Sequence, residues 1–202
     1  MIRCLVTARR RLCPGAASFG DERRHLLDQA RRAIAHRIEF IQIREPDLAA
    51  ADLATLVADF VALARSSTSA LSAGIRIVVN DRIDVALACG ADGVHLRADS
   101  PPPDVVRAIV PPGFVIGRSI HRVDDVKRSA GADYLIAGTV FPSQSKPAAE
   151  KLLGVEGLRA IVAATTIPVL AIGGVSADNI SAIVSTGAAG IAAIGLFVDS
   201  LR

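Results

Sequence analysis

The sequence predicts an α/β chain folded as one (β/α)₈ barrel over residues 1–202, with a short or missing eighth helix. Three observations carry this: eight short apolar runs, helix-like alanine-rich segments between them, and repeated glycine punctuation where one segment stops and the next begins. The first run, "IRCLVT" at 2–7, is a β-branched stretch of strand length and leads to a helical pattern at about 21–36. "IEFIQI" at 38–43 is the second run, followed by a helix at 48–66 with apolar residues three and four apart. "IRIVV" at 75–79 precedes a helix at 82–89, and "GVHL" at 93–96 precedes one at 102–109. "FVIG" at 114–117 and "DYLIAG" at 133–138 flank a helix at 122–129. The helix at 154–163 then leads to "IPVLAI" at 167–172, and the helix at 176–184 leads to "GIAAI" at 190–194. "GADG" at 90–93, "GAD" at 131–133 and "GAAG" at 187–190 stop helices and start strands. After the eighth run only "GLFVDSLR" remains, too little for a full closing helix. That shortfall predicts a homodimer whose partner covers apolar surface near Leu196 and Phe197.

Composition narrows the function. Just over half of the 202 residues are hydrophobic, yet no run reaches the ~18 apolar residues of a membrane span. The start, "MIRCLVTARRRLCPG", puts its charges after a very short apolar run, unlike a signal peptide. These features predict a soluble, cytoplasmic protein with no membrane partner. Cys4, Cys13 and Cys89 lack paired metal spacing and are expected as reduced thiols, Cys4 and Cys89 in the core. A net charge of +3 is small, and its visible cluster is "ARRRL" at 8–12. Without tryptophan and with one tyrosine, the chain offers no stacking platform, so nucleic acid is not an expected partner.

In such a barrel the chemistry sits just after each strand. Those positions hold Gln42, Arg44 and Glu45, then Asn80, Asp81 and Arg82, then His95 and Arg97. The fifth run surfaces in "IGRSIH", bringing Arg118, Ser119 and His121. The sixth ends in "GTVFPSQSKP", the seventh in "AIGGVS" and the eighth at Ile194 and Gly195. Glycine loops after strands seven and eight form the usual phosphate site of this architecture, so a phosphorylated small molecule is the expected ligand.

Read together, "FIQIRE", "VVNDRIDVALACGADGVHL", "IGRSIH", "FPSQSK" with "LGVEGL", and "IPVLAIGGVSADN" resemble, in order and spacing, the thiamine phosphate synthase and TenI family. The resemblance spans nearly the whole chain except the arginine-rich start and the clipped end. It implies a thiazole phosphate held at Gly173, Gly174 and Gly195. It also matches Gln42, Arg44 and Asn80 to substrate-binding positions and Asp81 to a magnesium-binding aspartate. Ser119 corresponds to the serine beside the reacting diphosphate. Ser143, Ser145 and Lys146 correspond to a pattern whose hydroxyls hold thiazole phosphate and whose lysine meets diphosphate.

The chain also departs from the synthase pattern. Pro46 stands where a synthase has lysine, Ser100 falls on the second metal aspartate with Asp99 one residue early, and "AIGLF" lacks a serine. A charge-assisted hydrogen bond to diphosphate is worth about 1.5–3 kcal/mol, so these departures weigh against a synthase. The expected activity is therefore a TenI-like thiazole tautomerase without cofactor, in which His121 transfers the proton with Ser119 nearby. Histidine suits this because its pKa of about 6.5 keeps both protonation states accessible. The alternative is thiamine phosphate synthase, using Mg²⁺ to join a pyrimidine methyl diphosphate to the thiazole phosphate. A third possibility is a non-catalytic accessory protein that binds the thiazole phosphate. Structural roles stand beside these functional ones: Asn80 or Asp81 could cap the next helix, Glu45 or Asp81 could pair with Arg44, and His95 could be a barrel-interior residue.

Overall fold

The computed structural model describes residues 1–66, 74–143 and 152–200. Eight parallel strands close into a barrel in sequence order: β1 (Ile2–Val6), β2 (Phe40–Ile43), β3 (Arg76–Asn80), β4 (Gly93–Leu96), β5 (Val115–Ile120), β6 (Tyr134–Gly138), β7 (Val169–Ile172) and β8 (Gly190–Ala193). Helices α1 (Arg9–Leu12), α2 (Phe19–Ala35), α3 (Ala50–Ser66), α4 (Ile83–Ala88), α5 (Pro103–Arg107), α6 (Gly154–Ala163), α7 (Ile180–Val184) and α8 (Gly195–Ser200) fill most of the connections. All eight expected strands are present, and the eighth helix is short, with six residues.

Alternation along each strand sorts the side chains into two layers. Cys4, Val6, Tyr134, Ile136, Leu170 and Ala192 fill the barrel interior. Their neighbours, such as Leu5, Ile41, Ile77 and Val94, pack outward against the helices. Cys4 is fully buried, and burial pushes its thiol up to about 12, as befits a core residue. At the bottom of the barrel, acidic residues just before a strand accept the amide of the neighbouring strand. Asp92 Oδ2 takes Ile77 N at 2.8 Å, and Asp133 Oδ2 takes Ile116 N at 2.7 Å. The aspartates of the repeated "GAD" therefore lock register, which explains the punctuation.

Three elements differ most from the sequence expectation, and the helix expected at 176–184 opens as a 3₁₀ turn (Ala177–Asn179) before α7. β5 runs three residues beyond Gly117, because Arg118 is a strand residue pointing outward, 2% exposed, and donates to Ala98 O at 2.8 Å and Pro101 O at 3.1 Å. The stretch 122–129 is a 3₁₀ turn (Val123–Arg128) tied down by the Asp125 carboxylate, which accepts the amides of His121 and Arg122. The unexpected α1 is anchored by Arg9, whose guanidinium meets Glu22 at 2.8 Å, Glu45 at 3.1 Å and Asp47 at 2.6 Å. At the other end, Phe197 and Val198 are buried by the chain's own core and Leu196 packs on two core clusters. The apolar surface expected at Leu196 and Phe197 is thus filled within one chain, and the homodimer loses the basis it had there. Among the described residues no helix is long and apolar enough to cross a membrane.

Candidate active site

Two adjoining cavities open at the C-terminal ends of the strands, where the barrel places its loops. The first, of about 500 Å³, is lined by Gly138, Thr139, Ser143, Gly173, Gly174 and Gly195 together with Arg11, Arg44 and His121. Gly174 has φ of 62°, and a Cβ there would lie 2.3 Å from Pro142 O, so only glycine lets the β7 loop pass so close to the β6 loop. The second cavity, of about 670 Å³, is polar: Asn80, Asp81, Arg82, Arg97, Asp99 and Ser119 face it. Arg44 and His121 line both and so stand where the two cavities meet.

Arg44 is exposed just beyond β2, and among the described residues it has no carboxylate partner. Both structural partners open to it from the sequence are engaged elsewhere. Glu45 is taken by Arg9, and Asp81 lies 3.8 Å from Arg97. His121 Nδ1 lies 2.5 Å from Gly138 O, an acceptor, so Nδ1 carries the proton and donates. In the neutral ring Nε2 is then left as the acceptor.

Beneath the second cavity lies a buried relay. His95 is 2% exposed, with Nδ1 3.2 Å from Tyr134 Oη and Nε2 2.9 Å from Ser119 Oγ. Burial, with a smaller contribution from the Arg44 charge, holds His95 down to about 3, so the ring is neutral. Burial also raises the Tyr134 phenol well above its ordinary value. The phenol has no other acceptor among the described residues, so its O–H donates to Nδ1 and His95 Nε2–H donates to Ser119. Ser119 is left with its own hydroxyl proton to offer the cavity. Gly117 makes room for this: a Cβ there would lie 2.2 Å from the Tyr134 ring. The glycine and serine of "IGRSIH" thus serve one inward-facing arrangement, while its arginine faces outward.

Gln42 is buried and donates through Nε2 to Asn80 Oδ1 at 3.0 Å; it lines neither cavity but fixes the Asn80 amide. Neither Asn80 nor Asp81 caps α4, whose N-cap is Arg82 without a side-chain bond. Asp81 sits at φ 62°, and its carboxylate receives the Ser100 hydroxyl as well as Arg97. Ser145 and Lys146 lie outside the described residues.

The donor set around Asp81 does not fit the divalent cation expected of a synthase. Mg²⁺ is usually held by one or two carboxylates with water and substrate phosphates. Here Arg97 already pairs with Asp81 and, at 2.7 Å, with Asp99, and Ser100 offers a hydroxyl where a carboxylate was expected. Among the described residues, no group of three or more His, Cys, Asp or Glu side chains could hold a metal ion.

Residues 15–197 match the family model described as thiamine monophosphate synthase. The chain belongs to the thiamine monophosphate synthase family. A family relative from Methanoculleus marisnigri, named thiamine-phosphate synthase, is 41% identical over 90% of this chain and 83% of its own length. One of the same name from Moorella thermoacetica is 37% identical over 88% of this chain and 82% of its own. The solved thiamine phosphate pyrophosphorylase of Pyrococcus furiosus superposes with a TM-score of 0.76 at 30% identity, covering 99% of this chain and 96% of that one. Membership of the thiamine monophosphate synthase family agrees with the resemblance read from the motifs and makes an enzyme the expected product of this fold. The relatives' names support the synthase alternative and lend nothing to the tautomerase.

Proposed function

We propose that this chain is a thiamine phosphate synthase, joining a pyrimidine methyl diphosphate to a thiazole phosphate with release of diphosphate. The observation that carries the reading is the pair of adjoining cavities that share Arg44 and His121 where they meet. A one-substrate isomerisation needs one cavity, whereas a condensation needs two ligands side by side with their reacting atoms at the boundary. The relatives' names agree with it.

In this reading the glycine-lined cavity takes the thiazole phosphate and the polar cavity takes the pyrimidine diphosphate. The bond from the pyrimidine methylene carbon to the diphosphate oxygen breaks, the electron pair leaves with diphosphate, and the thiazole nitrogen's lone pair forms the new C–N bond. Arg44, free of any carboxylate among the described residues, offsets the charge that gathers on the leaving group. Arg82 and Arg97 face the same cavity but are paired, Arg82 with Asp84 and Arg97 with Asp81 and Asp99, so Arg44 supplies the charge there that no carboxylate among the described residues offsets. Ser119, held by His95, offers a hydroxyl donor, and Asn80, held by Gln42, an amide donor. No step is assigned to a metal, since the residues around Asp81 do not fit one. The reading carries a cytoplasmic location and small phosphorylated ligands with it.

A second reading keeps one specific observation in its favour. Among the described residues His121 Nε2 has no partner, and His121 lines the glycine-lined cavity, as a tautomerase base would. The deciding experiment supplies purified protein with both substrates, with and without magnesium, and follows thiamine phosphate by fluorescence after oxidation. Turnover supports the synthase. Absence of product under both conditions, with thiazole phosphate still binding, overturns it in favour of His121 and proton transfer.

A further inference from the structure

The three consecutive arginines of α1 have three different fates. Arg9 is buried among Glu22, Glu45 and Asp47, and Arg10 lies on the surface against Asp47. Arg11 has no hydrogen bond or ion pair through its side chain among the described residues. It is half-buried and lines the glycine-lined cavity beside Gly173, Gly174 and Gly195. Its guanidinium covers Gly195 so closely that a Cβ on that residue would fall 2.4 Å from Nη2 and 3.0 Å from Cζ.

An unpaired, half-buried guanidinium facing a cavity has its donors free for an anion, whose oxygens they can meet in charge-assisted hydrogen bonds. Its placement is also fixed. The backbone amide of Arg9 lies 3.1 Å from Glu45 Oε1, and its side chain is clamped by three carboxylates, so α1 is pinned to the β2 and α2 ends. The residues at the end of β8, Ile194 and Gly195, contribute no side-chain donor of their own. Arginine's planar fork supplies what they lack, matching two phosphate oxygens at once.

We infer that Arg11 is a phosphate-binding, specificity-determining residue of the glycine-lined cavity, selecting phosphorylated over unphosphorylated thiazoles. The inference rests on that cavity being the thiazole phosphate site. Titration calorimetry with the aromatic thiazole phosphate and with its dephosphorylated alcohol tests both, using the full chain, Arg11→Ala, Arg11→Lys and, as a control, Arg10→Ala. The expected result is that Arg11→Ala weakens the phosphate form by about 10- to 100-fold and leaves the alcohol unchanged. Arg11→Lys should recover part of the loss, and Arg10→Ala should behave as the parent. If the parent prefers the phosphate form and Arg11→Ala keeps the full preference, the inference is wrong while the cavity's assignment stands. If the parent does not distinguish the two ligands, the assignment itself fails. Matching circular dichroism spectra and melting temperatures for Arg11→Ala and the parent establish that the variant is folded.

Discussion

His95 Nε2 lies 2.9 Å from Ser119 Oγ, so a fully buried ring on β4 holds the hydroxyl that β5 offers to the polar cavity. Burial keeps the ring neutral, and the Tyr134 phenol donating to Nδ1 places the ring's proton on Nε2, from which it donates to Ser119. The unfolded chain takes up this proton near pH 6.5, the folded chain only near 3. Between those values the unfolded state binds more protons, so stability falls as pH drops through the window. The contribution lost by pH 5 is about 2 kcal/mol. Chemical denaturation at pH 7.5 and 5 should show that loss in the parent and its absence in His95→Gln. An unchanged pH slope in the variant would mean that His95 is not the group responsible.

Arg9→Ala should be the most damaging change in α1. It strands Glu45, 3% exposed through its side chain, beneath a helix that no longer pairs with it. Removing one partner of a buried pair costs about 3–5 kcal/mol, and the value here should fall near the lower figure because Asp47 is partly exposed. Urea denaturation measures it. Arg10→Ala, which removes only a surface ion pair, should change stability by less than about 1 kcal/mol.

Much of this was legible in the residues, and the failures have physical reasons. Eight apolar runs gave eight strands in order, because a parallel sheet buried on both faces leaves a continuous hydrophobic signal. His95, alternating with apolar neighbours in "GVHL", was readable as an interior residue. Arg118 was misplaced because its charge suggested a strand end, whereas two carbonyls from the loop after β4 satisfy it inside the fold. Arg9, Arg10 and Arg11 looked like one basic cluster. Their separate fates depend on Glu22, Glu45, Asp47 and Gly195, residues distant in sequence that no local pattern connects to them. The two-cavity arrangement was equally hidden, since Arg44 and His121 come from different strands and meet only when the barrel closes.

Arg97 stands between Asp81 and Asp99, and Ser100 bonds Asp81 where a metal carboxylate was expected. The parent's affinity for inorganic diphosphate should therefore change less than about threefold when Mg²⁺ replaces EDTA. The double substitution Arg97→Gly with Ser100→Asp frees Asp81 and Asp99 and puts a further carboxylate where Ser100 now bonds Asp81. It should create Mg²⁺-dependent diphosphate binding, with affinity rising at least about tenfold on adding the ion. Calorimetry with Mg²⁺ and diphosphate reads this without turnover. Strong Mg²⁺ dependence in the parent would show that Arg97 moves aside for the ion.

His121 separates the two chemistries, because its Nδ1 is committed to Gly138 O and only Nε2 is left to meet a ligand. In the synthase reading the ring only stands where the cavities meet, so His121→Ala should lower thiamine phosphate formation by less than about tenfold. A tautomerase would depend on it as the proton carrier and should lose about 10²–10⁴ in kcat, with thiazole phosphate binding within a few-fold of the parent. Both activities can be followed on the same preparation, the second by the absorbance change as a carboxylated thiazole phosphate becomes aromatic. We expect measurable synthase turnover in His121→Ala. A collapse of tautomerisation in that variant, in a protein that forms no thiamine phosphate, would assign the site to proton transfer instead.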